Sequence, residues 1–136
     1  MITAVDTSVL MDVLIDDPTH AEASKAALQQ ASTDGSLIVG EIVLAEIVPA
    51  LEPSELSAFL HDWNLSFVPS SEESALLAGK MFRVHLQRGG KRSRVVADFL
   101  VAAHAQIHGQ RLLARDRGYY RDYFKSLKLW DPARIR

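Results

Sequence analysis

Four carboxylates stand where apolar neighbours would be expected. Asp6 follows the β-type run Ile2-Thr3-Ala4-Val5. Glu46 is the only charged residue of Ile42-Val43-Leu44-Ala45-Glu46-Ile47-Val48-Pro49-Ala50-Leu51. Asp98 interrupts Val95-Val96-Ala97-Asp98-Phe99-Leu100-Val101-Ala102-Ala103, and Asp116 lies two residues beyond Leu112-Leu113-Ala114. An apolar helix is a buried helix, and an ionised carboxylate is costly to bury unless it is paired, hydrogen-bonded or bound to a metal. Each acid also has an ordinary reading: Asp6 as a helix cap, Glu46 as the partner of a distant Arg or Lys, Asp98 as a first-turn acid, Asp116 as a turn residue. Taken together they suggest a gathering of negative oxygens. Such a cluster repels itself unless a cation compensates. The chain has no Cys, and no His adjoins these positions, so an all-oxygen site favours Mg2+ or Mn2+ over Zn2+. A carboxylate-held Mg2+ keeps waters, acidifies one of them and offsets charge on a phosphoryl oxygen. The chemistry that suits this is attack of water on a phosphodiester.

The elements that must position these acids alternate short apolar runs with helical periodicity. Strands are expected over 2–5, 37–39, 65–68 and 112–114, with a last one over 127–130. Thr7 and Ser8 are cap types for a helix through Val9, Leu10, Val13 and Leu14. Further helices are expected over 20–31, 41–51, 55–63, from about 72 to 87, 97–108 and 119–124. Pro49 should kink or shorten the helix over 41–51. Glu41 opens it, about 140° around the axis from Glu46. Gly89-Gly90-Lys91-Arg92-Ser93-Arg94 is the most loop-like stretch. Strands separated by helices imply βα units and a three-layer α/β/α sandwich with a mostly parallel sheet, spanning residues 1–136 as one domain. Strand-end acids of such a sheet share one edge, where ligands bind.

The 136-residue length and a composition of 48% apolar and 24% charged residues are those of an ordinary globular chain and exclude a collagen-like or low-complexity protein. The start of the chain shows no basic leader, and no stretch is long and apolar enough for a bilayer, so no membrane role and a cytoplasmic location are expected. The net charge of −2 hides an asymmetry. Residues 1–79 carry one basic residue against thirteen acidic ones, whereas residues 80–136 carry fourteen against four. Either an anionic partner or simple interleaving of the two halves accounts for this.

These residues resemble those of the PIN-domain nucleases. Asp6-Thr7-Ser8-Val9-Leu10 after a first strand, Glu46-Ile47 in an early helix, Asp98-Phe99-Leu100-Val101-Ala102-Ala103-His104-Ala105, and Ala114-Arg115-Asp116 after a later strand follow the family's order over nearly the whole chain. The spacing is most similar to the VapC toxins of type II toxin–antitoxin systems. The resemblance implies an endoribonuclease in which Asp6, Glu46, Asp98 and Asp116 are catalytic. Asp6, Asp98 and Asp116 would hold Mg2+ (or Mn2+), and Ser8 would serve as a polar helper that also meets substrate. It further implies a cognate antitoxin and a homodimer or toxin–antitoxin hetero-oligomer. One departure is Ala114, where the family often has Thr or Ser, so a hydroxyl near Asp116 is missing.

Basic residues beside the proposed site, namely Arg92, Arg94, Arg115 and Arg117, are expected to hold RNA phosphates; Lys91 and Arg121 lie nearby. Tyr119, Tyr120 and Tyr123 have the two roles of base stacking and core packing. His104 and His108 form an i, i+4 pair, but His104 points about 120° away from Asp98, so both are read as packing or surface residues. Two other classes compete. A non-catalytic RNA- or protein-binding domain of the same fold would tolerate Ala114. A phosphoacceptor receiver domain would show adjacent acids after its first strand, whereas Asp6 is followed by Thr7-Ser8.

Overall fold

The computed structural model describes residues 1–92, 95–115 and 118–134. Among them, five strands form one sheet: β1 (Ile2–Val5), β2 (Ser36–Val39), β3 (Leu65–Phe67), β4 (Arg111–Leu113) and β5 (Leu129–Trp130). The order is β3-β2-β1-β4-β5 and every pairing is parallel. The register sets Ala4 against Ile38 on one side and against Leu112 on the other. The helices between them are α1 (Thr7–Leu14), α2 (Ala21–Asp34), α3 (Glu41–Ile47), α4 (Pro53–Asp62), α5 (Glu72–Gln87), α6 (Val95–His108) and α7 (Tyr119–Tyr123). This is the expected three-layer α/β/α sandwich, with the sheet parallel throughout.

The chain builds β2 and β3 outward on one side of β1, then crosses to build β4 and β5 on the other. The order therefore reverses between β1 and β4. At such a reversal the two crossover connections leave in opposite directions and open a crevice at the carboxyl ends of the strands. Asp6 and Ala114 are the first residues past those two ends. The Asp6 N–H donates to the Leu113 carbonyl at 2.9 Å, which holds the two exits together.

Fully buried Leu10, Leu28, Leu37, Ile47, Leu112 and Leu113 pack the sheet against its helices. Phe99 of α6, also fully buried, meets the rings of Phe82, Tyr119, Tyr123 and Phe124 at centroid distances of 5.0–6.2 Å. This aromatic packing fixes α6 and α7, and so the wall they give to the crevice.

Several boundaries differ from the sequence reading for local reasons. Of the three cap-type residues Asp6, Thr7 and Ser8, it is Asp6 that caps α1, its side chain accepting from the Ser8 N–H. Helix α2 runs to Asp34, whose carboxylate meets Arg111 at 2.8 Å, and stops at Gly35, where a Cβ would collide with the Met1 carbonyl. Helix α3 ends at Ile47 and Val48–Ala50 forms a 3-10 turn, because Pro49 has no N–H to continue the α pattern. The expectation of a buried α3 around Glu46 is corrected: Ala45, Glu46 and Val48 are exposed, Val43 and Ile47 are buried, and Ile42 and Leu44 pack partly against the core. Leu76 is exposed on α5.

The acidic and basic halves of the chain do interleave. Arg111 pairs with Asp34, and Arg115 with Asp12, each at 2.8 Å. Arg111 is buried, donates to Thr3 Oγ1 at 2.7 Å and lies 4.5 Å from the centre of the Trp130 ring. No helix among the described residues is long and apolar enough to cross a membrane.

Candidate functional site

A cavity of about 250 Å³ opens at the crevice between the carboxyl ends of β1 and β4. It is lined by Asp6, Thr7, Ser8, Met11, Glu46, Asp98, Arg115, Tyr119 and Tyr120. Three of the four acids singled out in the sequence thus share one lining, though they come from the end of β1, from α3 and from the first turn of α6. Asp116, Arg94 and Arg117 lie outside the described residues. Arg92 is exposed and sits 5.8 Å above the Phe82 ring, away from the cavity lining.

Asp6 is tightly constrained. It is 8% exposed, and both carboxylate oxygens are engaged. Oδ2 accepts from Ser8 Oγ at 2.6 Å and from the Ser8 N–H at 3.2 Å, while Oδ1 accepts from the Tyr120 hydroxyl at 3.1 Å. Capping and site formation are therefore one arrangement: the bond that starts α1 also aims the carboxylate across the cavity. Glu46 is exposed, and its Oε1 accepts from Thr7 Oγ1 at 2.7 Å, so α3 is tied to the start of α1. Ser8 Oγ accepts the Arg115 N–H at 3.1 Å, linking the β4 exit to the same cluster.

Tyr120 reports how close the acids are. Burial, then the negative charges of Asp6 and Asp98, then its hydrogen bond to Asp6 and the charge of Glu46, push its hydroxyl far above the ordinary range for tyrosine. It stays protonated and can only donate toward Asp6. Three carboxylates act on one buried hydroxyl.

The acidic side chains of the lining offer carboxylate oxygens, beside the hydroxyls of Thr7, Ser8, Tyr119 and Tyr120. Among the described residues no three acidic or imidazole side chains are grouped closely enough to hold a metal ion by themselves. Carboxylate oxygens are the donors that a hard, hydrated divalent cation takes.

The Arg115 guanidinium is already engaged: its Nε and Nη2 each meet a different oxygen of buried Asp12 at 2.8 Å. Sequence reasoning missed Asp12, although it interrupts Val9-Leu10-Met11-Asp12-Val13-Leu14 in the same way that Glu46 and Asp98 interrupt their runs. It also misses Thr7 as a partner of Glu46, and it gives Tyr120 only packing or stacking. His104 is buried, as read, and its Nε2 lies 2.6 Å from the Val68 carbonyl, so Nε2 carries the proton. Burial holds His104 below its ordinary value, with the charge of His108 acting the same way and the Val68 carbonyl and Glu41 opposing it. Burial alone would raise Glu41, but hydrogen bonds from Ser70 hold it below the usual carboxylate value.

The fold has well-matched relatives among solved structures. VapBC2 from Rickettsia felis, bound to a DNA fragment from their promoter, aligns over 96% of this chain and 98% of its own at 20% identity, with a TM-score of 0.76. VapBC-1 from nontypeable Haemophilus influenzae aligns over 98% and 100% at 15% identity, with a TM-score of 0.72. FitAcB from Neisseria gonorrhoeae aligns over 99% and 100% at 20% identity, with a TM-score of 0.68. At these identities the likeness is one of fold. No curated protein matches the sequence. The PIN domain model matches residues 3–125, nearly the whole sequence, and with the acids gathered at the sheet's switch point this establishes that the chain belongs to the PIN domain family.

Proposed function

We propose that this chain is a Mg2+- or Mn2+-dependent endoribonuclease and the toxin of a type II toxin–antitoxin pair. The observation that carries the reading is the convergence of Asp6, Glu46 and Asp98 from three separate elements on one cavity at the switch point. Side chains that only solvate a surface have no reason to meet there. The carboxylate oxygens of the lining fit a hard divalent cation, held by Asp6 and Asp98 and, on the family pattern, by Asp116. When bound, that ion supplies an acidified water and positive charge beside a phosphoryl oxygen.

The chain's own residues do the rest. Asp6 is held by Ser8, whose hydroxyl and N–H both donate to Oδ2, so little reorganisation is needed when the site fills. Glu46, exposed at the cavity rim and steadied by Thr7, is placed to orient the attacking water and accept its proton. Arg92 contributes a solvent-facing cation for the RNA backbone, joined on the sequence pattern by Arg94 and Arg117. The partner role rests on the fold: the related VapBC and FitAcB structures are, by name, of two-component assemblies. A cognate antitoxin and a homodimer or hetero-oligomer follow from that reading.

The test is cleavage of RNA by the purified chain in Mg2+ or Mn2+, with chelator as control. Wild type should cleave, and Asp6→Asn and Asp98→Asn should each abolish cleavage while keeping the fold. Full activity in both variants would rule out the assignment. A second reading, a non-catalytic RNA-binding domain, draws on Ala114. That residue is buried without a hydroxyl at the β4 exit, its N–H spent on the Trp130 carbonyl at 3.0 Å. RNA binding without cleavage at any Mg2+ or Mn2+ concentration would favour it.

A further inference from the structure

Asp12 takes no part in the reaction described above, and it does not line the cavity. Yet it is a buried carboxylate in the middle of α1, one helical turn beyond Ser8. Three donors converge on it. Ser24 Oγ, from α2, donates to Oδ2 at 2.6 Å; Arg115 Nε donates to the same oxygen and Arg115 Nη2 to Oδ1, both at 2.8 Å. A two-pronged guanidinium–carboxylate contact fixes the plane and the rotamers of both partners. A buried Asp12 therefore pins the Arg115 side chain to α1.

Pinning Arg115 has a consequence at its backbone. Its N–H is delivered to Ser8 Oγ at 3.1 Å. A serine hydroxyl has one proton to give, and with an N–H arriving at its lone pair that proton is directed elsewhere. It goes to Asp6 Oδ2, at 2.6 Å. The links run in one line from Asp12 through Arg115 and Ser8 to Asp6, crossing from α1 to the β4 exit and back.

We propose that Asp12 is a positioning residue: acting through Arg115 and Ser8, it sets the Asp6 carboxylate in the orientation that receives a divalent cation. The proposal rests on the metal-dependent reading given above. It also reassigns Arg115. With its guanidinium neutralised by Asp12, Arg115 acts through its backbone N–H and not as a cation for RNA phosphates.

The experiment is calorimetric titration of the full chain with Mn2+ alone, paired with RNA-binding isotherms over a range of salt. Groups that orient metal ligands typically change affinity by about 10–100-fold when removed. Asp12→Asn and Arg115→Gln should each weaken Mn2+ binding by about tenfold or more, and the double variant should be no weaker than either single one. Arg115→Lys, which keeps the charge but loses the fork, should weaken Mn2+ too. A phosphate-binding Arg115 predicts the reverse: Mn2+ affinity unchanged in Arg115→Gln, with the salt slope of RNA binding reduced by about one. That result would overturn the proposal. So would an Asp12→Asn protein that melts earlier but, while folded, binds Mn2+ like wild type, since that marks a role in stability alone. Should Asp12→Asn not fold, Arg115→Lys decides, and unaltered Mn2+ affinity there refutes the proposal. Asp6→Asn separates the two levels. If wild type gives no Mn2+ heat, the metal reading fails and the proposal with it; if wild type binds, Asp6→Asn does not and Asp12→Asn equals wild type, only the role of Asp12 fails.

Discussion

Replacing Tyr120 by Phe removes a single oxygen, and the structure gives that oxygen a definite task. It donates to Asp6 Oδ1 at 3.1 Å from a residue only 5% exposed, so bulk water has poor access to take its place. The ring itself stays packed, and no cavity of consequence forms. Hydrogen bonds to charged groups contribute about 1.5–3 kcal/mol, and leaving the acceptor unsatisfied costs a similar amount. For a chain of this size the loss corresponds to a fall in Tm of roughly 5 to 15 °C. Differential scanning calorimetry of Tyr120→Phe against wild type in chelator measures it directly. Repeating the scans in saturating Mn2+ adds a second reading. A cation beside Asp6 satisfies the oxygen that Tyr120 has left, so the gap between variant and wild type should narrow. An unchanged Tm in chelator would refute the claim that the hydroxyl supports Asp6, and a gap that does not narrow with Mn2+ would refute the claim that the cation meets the same carboxylate.

Glu46→Gln tests a different kind of acid: the side chain is exposed, so stability should stay within about 0.5 kcal/mol of wild type while kcat for RNA cleavage drops by about a hundredfold. Equal kcat would remove Glu46 from the chemistry. His104, held low by burial, stays neutral in the fold while the unfolded chain takes up a proton near its ordinary value of 6.5. The stability linked to His104 is complete above that pH and is lost as pH falls below it toward the folded value. Denaturant titrations of His104→Gln should therefore show a shallower decline between pH 7 and pH 5 than wild type; parallel declines would contradict the assignment. Arg92→Gln should weaken RNA binding evenly across sequences and lower the salt slope by about one, and an unaltered slope would take Arg92 out of the RNA path.

Much of the architecture could be read from periodicity. Each apolar run with a turn signal became a strand, and the βα alternation translated into a parallel sheet because parallel neighbours require crossovers. The acids were legible for the same reason: Asp6 and Asp98 break patterns that burial had made strict. Glu46 was reached by a wrong route. The run around it is apolar, but Pro49 ends α3 so early that the face bearing Ala45, Glu46 and Val48 meets solvent. Its neighbours in sequence say nothing of Thr7, which lies 39 residues away and holds it. Tyr120 and Asp12 stayed hidden because their significance depends on long-range partners. Tyr120 meets Asp6 across 114 positions, and Asp12 meets Arg115 across 103. A single sequence shows an acid in an apolar helix, not which arginine arrives to neutralise it.

The central claim is that negative side chains from distant segments share one cavity and that a divalent cation stabilises their gathering. Thermal unfolding of wild type and Asp98→Asn with increasing Mg2+ or Mn2+ tests it without any substrate. An ion that binds only the folded chain adds about 2.7 kcal/mol of stability at a hundredfold excess over its Kd. Wild type should therefore melt progressively higher as metal is added, by several degrees at saturation, and Asp98→Asn should gain far less. A wild-type Tm that ignores both metals, or a variant stabilised as fully as wild type, would contradict the account.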